Sequence, residues 1–345
     1  DNSDGSISSD NIDEIENEFV GELLNNNYII LRYIGRGTFS RVWLCYNIEK
    51  DNECVIKIYF PKDKSEYDYE INTLKVINEK QLKCNSGSLD NFQYIFNNQT
   101  YHCIVLNLLG LSLEDILERK KNLNVEECKH ILRYILFGMN ELHTFKILHT
   151  DLKLDNILSD YIDPNLQKFL DWFNNEFKLQ NGNISEIYKK FIKNLLPENF
   201  DDFDKHKKKK IKRRIKIKAS LNLKNLIKKE IEKYEEDNYD SDISNNSEND
   251  YNSENENNLN CNELNINEDN INDLEEVNLD NKKHNKINNN KTIKTCEFRD
   301  SCDEDYDDDE DINITNLKFK IVDFSNALNE DEIDEDDELQ IRAFR

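Results

Sequence analysis

Three short runs rich in β-branched and aromatic residues open the patterned part of the chain, at 28–34, 41–46 and 54–59, each bounded by turn-forming residues. Such runs predict consecutive antiparallel strands. The period then changes: over 66–80, Tyr69, Leu74 and Ile77 are spaced for one apolar face of a helix. Residues 101–109 predict another strand, and 125–142 a longer helix with apolar residues along one side. Beyond Leu158 the pattern dissolves into Asn, Asp, Glu and Lys as far as 316, although Phe169, Leu170, Trp172, Phe173, Phe177, Tyr188 and Phe191 supply enough apolar surface for one or two helices. From about 207 a basic run passes into low complexity, a composition expected to bury too little apolar surface to offset the entropy of ordering. Strand character returns at Leu317 and leads directly into Asp323.

Composition bounds the function classes. The 345 residues carry a formal net charge of -25, which disfavours direct binding to nucleic-acid phosphates by the chain as a whole. The charge is segregated: 303–311 and 330–338 are almost wholly acidic, while 206–218 is strongly basic. The eight cysteines form no Cys-x-x-Cys pair and no Cys/His grouping of the zinc type, so reduced thiols in an intracellular protein are expected. No apolar run approaches the roughly 20 residues that span a bilayer, and no signal peptide is evident, so no membrane partner is expected. Asp1 at the start, and a final segment 340–345 with no helix stop, are read as a fragment's ends.

Chemistry-bearing residues fall in four places. Gly35-Arg36-Gly37-Thr38-Phe39-Ser40-Arg41-Val42 lies between two predicted strands, where a glycine-lined hairpin brings backbone N–H groups close to phosphates, with Ser40 standing where a third glycine is usual. Alone it reads better as a plain β-turn. Val55-Ile56-Lys57 then places a lysine within an apolar strand, and Glu70 lies on the following helix. By itself Lys57 suits the solvated side of an edge strand; with the loop and Glu70 it suits phosphate binding. The third place is His149-Thr150-Asp151-Leu152-Lys153-Leu154-Asp155-Asn156, which has the His-x-Asp-x-x-x-x-Asn spacing of a phosphoryl-transfer loop. One carboxylate there orients the attacking hydroxyl, and an amide five residues later reaches a metal ion on the phosphates. Lys153 is placed to neutralise charge on the transferring group. Fourth, Asp323-Phe324-Ser325 follows its strand where a metal-binding Asp-Phe-Gly is expected, and the loss of glycine predicts a more restricted backbone.

With these elements in order, the chain resembles the protein kinases. Gly35 to Cys45 is similar to the SR-protein kinases, His149-Thr150-Asp151 to both the SR-protein and the Clk/LAMMER kinases, and Leu108-Leu109-Gly110-Leu111-Ser112 and Val322-Asp323-Phe324-Ser325-Asn326-Ala327 to the Clk/LAMMER kinases, the near alternative. The resemblance covers 28–158 and 317–345, divided by a spacer where the SR-protein kinases have one.

The fold implied is α+β and bilobal: a disordered acidic leader (1–27), an N-terminal lobe of antiparallel sheet plus one helix (28–110), the start of a helical C-terminal lobe with the catalytic loop (111–158), a long, largely disordered insert (159–316), and a magnesium-binding and activation segment (317–345). The resemblance implies ATP and Mg2+ as cofactors. Nucleotide contacts are expected from Ile34, Gly35, Arg36, Gly37, Thr38, Phe39, Ser40, Val42, Val55, Lys57 and Glu70, with Leu106 as gatekeeper and Leu109 in the hinge. Catalysis is expected from Asp151 and Lys153, and metal ligation from Asn156 and Asp323.

Serine/arginine-rich splicing factors are the implied protein substrates, for a monomeric serine/threonine kinase of cytoplasm and nucleus without direct nucleic-acid binding. The contrasting reading is an inactive scaffold, suggested by Ser325 and by the disordered spacer as a docking platform. Thr150 replaces an arginine that pairs with phosphorylated activation loops, and 326–345 holds no Ser, Thr or Tyr, so activity independent of loop phosphorylation is expected. Arg345 would lie in the substrate-positioning loop, and the chain as it stands is expected to be inactive alone. In the spacer, 206–218 is a candidate nuclear-import signal, and Ser241, Ser244, Ser247 and Ser253 are candidate phosphorylation sites.

Overall fold

A computed structural model of the chain describes residues 19–96, 98–244 and 312–329. The chain divides into two compact units, 1–236 with 305–345, and 237–304; the architecture below is that of the first. Five of the elements expected from the sequence form with slightly wider bounds, and others appear that the sequence pattern hid.

Six strands make one antiparallel sheet in the order β1-β2-β3-β4-β6-β5: β1 Leu23–Leu24, β2 Tyr28–Arg36, β3 Ser40–Asn47, β4 Asn52–Tyr59, β5 Ser88–Phe96 and β6 Gln99–Leu106. β4 sits inside the sheet, with Ile56 opposite Trp43 on one side and Val105 on the other. Lys57 is therefore not on an edge strand. Side chains alternate across the pleat. Ile30, Trp43, Cys45, Cys54, Ile56, Cys103 and Val105 build one core with Phe19, a residue inside the expected disordered leader 1–27 that is packed instead.

Helix α1, Lys64–Lys80, buries Tyr67, Glu70, Ile71, Leu74 and Ile77. Tyr69, expected on the apolar face, is half exposed; the face runs through Tyr67 instead, four residues before Ile71. Two capped helices follow. Ser112 and Asp115 form a capping box for α2, Leu113–Lys120, and Asn124 with Glu127 one for α3, Val125–Thr144. Short strands then pair around the catalytic loop: β7 Ile147–Leu148 with β10 Leu328–Asn329, and β8 Ile157–Ser159 with β9 Phe319–Ile321.

The insert folds further than its composition predicts. Asp163 caps α4, Pro164–Asp171, which continues through a π-helical turn, Trp172–Phe177, into α5, Lys178–Asn181; α6 spans Ile184–Asn194. α7, Lys205–Ser244, runs through the segment expected to stay unpacked. Ile215, Ala219, Leu223, Ile227 and Ile231 recur every fourth residue along it and are buried. A stripe one residue in four wide leaves many of the remaining positions to lysine, arginine and glutamate, which is why a composition average misses it. Leu223, Ile227 and Ile231 share one core with Phe169, Phe173 and Phe177 and with Ile29, Leu31, Leu44 and Tyr46 of the sheet. Polar ties reinforce the contact: Asn174 donates to Glu53 at 2.6 Å, and Lys224 meets Glu22 at 2.6 Å. Gly21, at φ 80°, has room only for hydrogen where α7 passes, since a Cβ would lie 2.7 Å from the Lys224 carbonyl oxygen.

No described helix is long and apolar enough to cross a membrane. Cys45, Cys54, Cys84, Cys103 and Cys128 are free thiols. Ser241 and Ser244 fall in the last turns of α7; Ser247, Ser253, both acidic runs and Arg345 lie outside the described residues.

Candidate active site

The site is assembled where β4, α1, the catalytic loop and the turn after β9 meet. Lys57 and Glu70 reach it from the sheet and from α1, and Asp323 arrives from a position 266 residues away in sequence. Lys57 Nζ lies 2.8 Å from Glu70 Oε2 and 2.8 Å from Asp323 Oδ1. Both Lys57 and Glu70 are buried. Burial alone would pull the lysine's pKa down, but the charges of Glu70 and Asp323 outweigh it and hold it well above its ordinary value. Burial acts on Asp323 in the opposite sense and is likewise outweighed, here by Lys57 and by hydrogen bonds from Lys57 and Ser325, leaving its pKa at about 2.

Serine in place of glycine at 325 needs no left-handed backbone. The left-handed backbone lies at Asp323, φ 62°, while Ser325 is absent from the positive-φ residues. Its hydroxyl donates to Asp323 Oδ1 at 2.9 Å. Phe324 is buried with Ile71, Leu74 and Ile77 of α1 and with Leu142 and Ile147, so Asp323 faces Lys57 while the neighbouring ring is fixed beneath α1.

In the catalytic loop, Asn156 Nδ2 donates to the Asp151 carbonyl at 2.9 Å and to Asp151 Oδ2 at 3.3 Å. Lys153 Nζ stands 3.7 Å from Asp151 Oδ2. Thr150, φ 62°, donates its hydroxyl to the Asn326 carbonyl at 2.6 Å, tying the loop to the chain after Asp323. His149 is buried and donates from Nε2 to the Val322 carbonyl at 2.9 Å; burial pushes its pKa below the ordinary histidine value, so it is neutral at pH 7. The Val322 N–H donates to the Asn156 carbonyl at 3.0 Å, which joins the strand before Asp323 to the catalytic loop.

The remaining expected residues line the same face. Gly35 pairs with Val42 and Val42 with Lys57, so the hairpin over 35–42 lies beside the lysine, and the Gly37 N–H donates to the Ser40 carbonyl at 3.0 Å. Ser40 is buried, Ile34 and Phe39 are half-buried, and Arg36 and Thr38 project into solvent. Val55 pairs with Leu106 at the end of β6, and Leu109 follows, half-buried. Gly110 is required where it stands: its N–H donates to Ser159 at 2.7 Å, and a Cβ would lie 1.8 Å from the Tyr161 carbonyl oxygen.

Two contributors escaped the sequence reading. Tyr59 donates its hydroxyl to Glu70, and Glu141 accepts from the Lys83 and Cys84 N–H groups at 2.7 and 2.9 Å, fixing the loop after α1 to α3. Tyr59 was discoverable, since two residues after Lys57 a strand returns to the same face; Glu141 had no local signal.

A divalent ion would find as donors the carboxylate of Asp323 and the side-chain oxygen of Asn156, whose amide nitrogen is turned to Asp151. Oxygen donors suit magnesium. Among the described residues no group of three or more His, Cys, Asp or Glu side chains gathers to hold a metal, so other ligands would come from phosphates and water.

Residues 28–181 match the protein kinase domain family. A serine/threonine-protein kinase SRPK of Physarum polycephalum is 34% identical over 153 residues, covering 41% of this chain and 36% of the relative. SRSF protein kinase 3 of Homo sapiens is 34% identical over 155 residues, covering 40% and 26%. Dual specificity protein kinase CLK2 of Mus musculus is 34% identical over 158 residues, covering 43% and 32%. A solved kinase-domain crystal structure is 30% identical, with a TM-score of 0.38 and 42% of each chain covered. The chain thus spans about a quarter to a third of the length of these curated relatives. The family match ends at residue 181, so the placement of Asp323 rests on the geometry alone. Residues 28–181 are a protein kinase domain, with SRPK and CLK kinases among its homologues.

Proposed function

We propose that the protein is a serine/threonine kinase of the SRPK/CLK type that transfers the γ-phosphoryl group of ATP to serine hydroxyls in arginine/serine-rich proteins. The observation that carries this reading is Lys57 held 2.8 Å from both Glu70 and Asp323, a charge arrangement assembled from three distant parts of the chain. Lys57 would pair with the nucleotide's phosphates while Glu70 fixes its position. Asp151, oriented by Asn156, would accept the proton of the incoming hydroxyl as its oxygen bonds to phosphorus and the bond to the ADP oxygen breaks. Lys153 would offset charge on the transferring group. Magnesium held by Asn156 and Asp323 would supply neutralisation of the phosphates.

The hairpin over 35–42, with Val55, Leu106 and Leu109, would enclose the nucleotide. Arginine-rich substrates suit an acidic protein by charge, and 330–338 carries eight acidic residues in nine. Splicing factors of that composition are the substrates this reading implies, met by a monomer in cytoplasm and nucleus. The scaffold reading drew on Ser325, but its backbone is unstrained and its hydroxyl supports Asp323.

Mass spectrometry of an Arg-Ser repeat peptide incubated with the full-length protein, ATP and magnesium tests the reading. Phosphoserine is expected, and more of it than on a matched peptide with glutamate in place of arginine. No phosphate above an Asp151→Ala control would sink it.

A further inference from the structure

Tyr59 lies two residues beyond Lys57 on β4, on the same face of the strand, and is fully buried. Its hydroxyl donates to Glu70 Oε2, the oxygen that also meets Lys57 Nζ at 2.8 Å. The Tyr59 ring packs edge-on against Tyr67, one turn before Glu70 on α1, with centroids 5.8 Å apart. Lys57 Nζ lies 5.2 Å from the centroid of the same Tyr59 ring. One side chain thus touches the lysine, its carboxylate partner and the helix that carries that carboxylate.

We propose that Tyr59 is a positioning residue for the phosphate-binding lysine: its hydroxyl latches Glu70, and with it α1, in the orientation that receives Lys57, independently of what else Lys57 holds. This rests on the kinase reading above.

The physical need for a latch comes from donor counting. An ammonium has three protons to give, and Lys57 already divides them between two carboxylates. Phosphates entering the site must draw on the same three. A buried Glu70 that depended on Lys57 alone would then be left short of partners, which is costly for a carboxylate out of water. Tyr59 supplies a donor for which phosphates do not compete. It stays protonated, because burial raises its pKa, joined by the Glu70 and Asp323 charges, against the opposing charge of Lys57. Ring packing against Tyr67 stiffens the same joint from the other side. The consequence is a lysine-glutamate pair assembled before nucleotide arrives.

Tyr59→Phe keeps the ring and removes only the donor. In the whole chain, the expected result is an affinity for a fluorescent ADP analogue about tenfold weaker, as for one hydrogen bond to a charged group. Hydrogen exchange at the α1 amides should quicken, while the thermal midpoint changes by only a few degrees. In a Glu70→Gln background the same substitution should change affinity less than about twofold, because its acceptor has lost its charge.

Wild-type affinity and wild-type α1 exchange in Tyr59→Phe would overturn the proposal, as would an equal loss with and without Glu70. Should Tyr59→Phe not fold, Glu70→Gln alone must quicken α1 exchange, and unchanged exchange overturns the latch. A wild-type chain that binds no nucleotide sinks the kinase reading instead; α1 exchange in Tyr59→Phe then decides the latch by itself.

Discussion

A lysine inside an apolar sheet must be met by carboxylates or lose its proton, and Lys57 is met by two. Removing it should leave Glu70 buried and uncompensated. Lys57→Met is therefore expected to lower stability by about 3–5 kcal/mol, read as a fall in the urea midpoint, with part regained in Lys57→Met/Glu70→Leu. Asp323 gives the pair a signature in pH. Its folded pKa, about 2, lies below the ordinary 3.8, so its contribution is complete above pH 3.8 and is lost as pH falls towards 2. Asp323→Asn should flatten the stability profile in that window and leave it unchanged above pH 5. His149 acts at higher pH: with its pKa lowered by burial, the unfolded chain takes up the proton first as pH drops below 6.5, so stability falls there, and His149→Gln should remove that slope. Lys57, Glu70, Asp151, Asn156 and Asp323 were legible in the sequence because each belongs to a spaced motif whose chemistry demands that residue. The left-handed backbone at Asp323 was not legible, because sequence reveals which residue replaces glycine but not which backbone position turns left-handed.

At the scale of elements, what was legible follows period and length. Strands of eight or nine residues with β-branched runs, and a helix of 20 residues with an apolar side, announce themselves. β5 did not: burial alternates along it, but Leu89 falls on the exposed side and Asp90 on the partly buried one, so its sequence carries no clean period of two. α7 was hidden for the opposite reason, since its single stripe is diluted by lysine and arginine over many turns. The stripe matters to the sheet it covers. Ile227→Asp should cost about 3 kcal/mol or more by burying an unpaired charge against Leu44 and Tyr46, whereas Lys216→Asp on the exposed side should stay within about 0.5 kcal/mol; thermal midpoints of the two variants separate these. The same helix carries the basic run 206–218, with Ile215 buried, so a reporter test of nuclear import should use the run within the intact chain as well as alone.

For the whole molecule, the kinase domain is continuous only to residue 181 in its family match, and the insert separates it from Asp323. Local pairing closes that gap: Ile157 opposite Ile321, and Leu148 opposite Leu328, bring the catalytic loop and the Asp323 turn together from either side of the insert. Sequence showed both blocks but not this pairing, because contacts between distant segments leave no periodic mark. The Thr150 hydroxyl on the Asn326 carbonyl supplies a tie at the place where loop phosphorylation would otherwise act, so phosphatase treatment is expected to leave activity intact. The central claim is that these charges perform phosphoryl transfer, and the initial rate of the full-length protein on an Arg-Ser peptide at saturating ATP and magnesium tests it most directly. Asp151→Asn should lower that rate by about 10²–10⁴-fold, the scale of a lost general base, with the Kd for ATP within about twofold of wild type. Equal rates for the two proteins, or no transfer by either, would contradict the account.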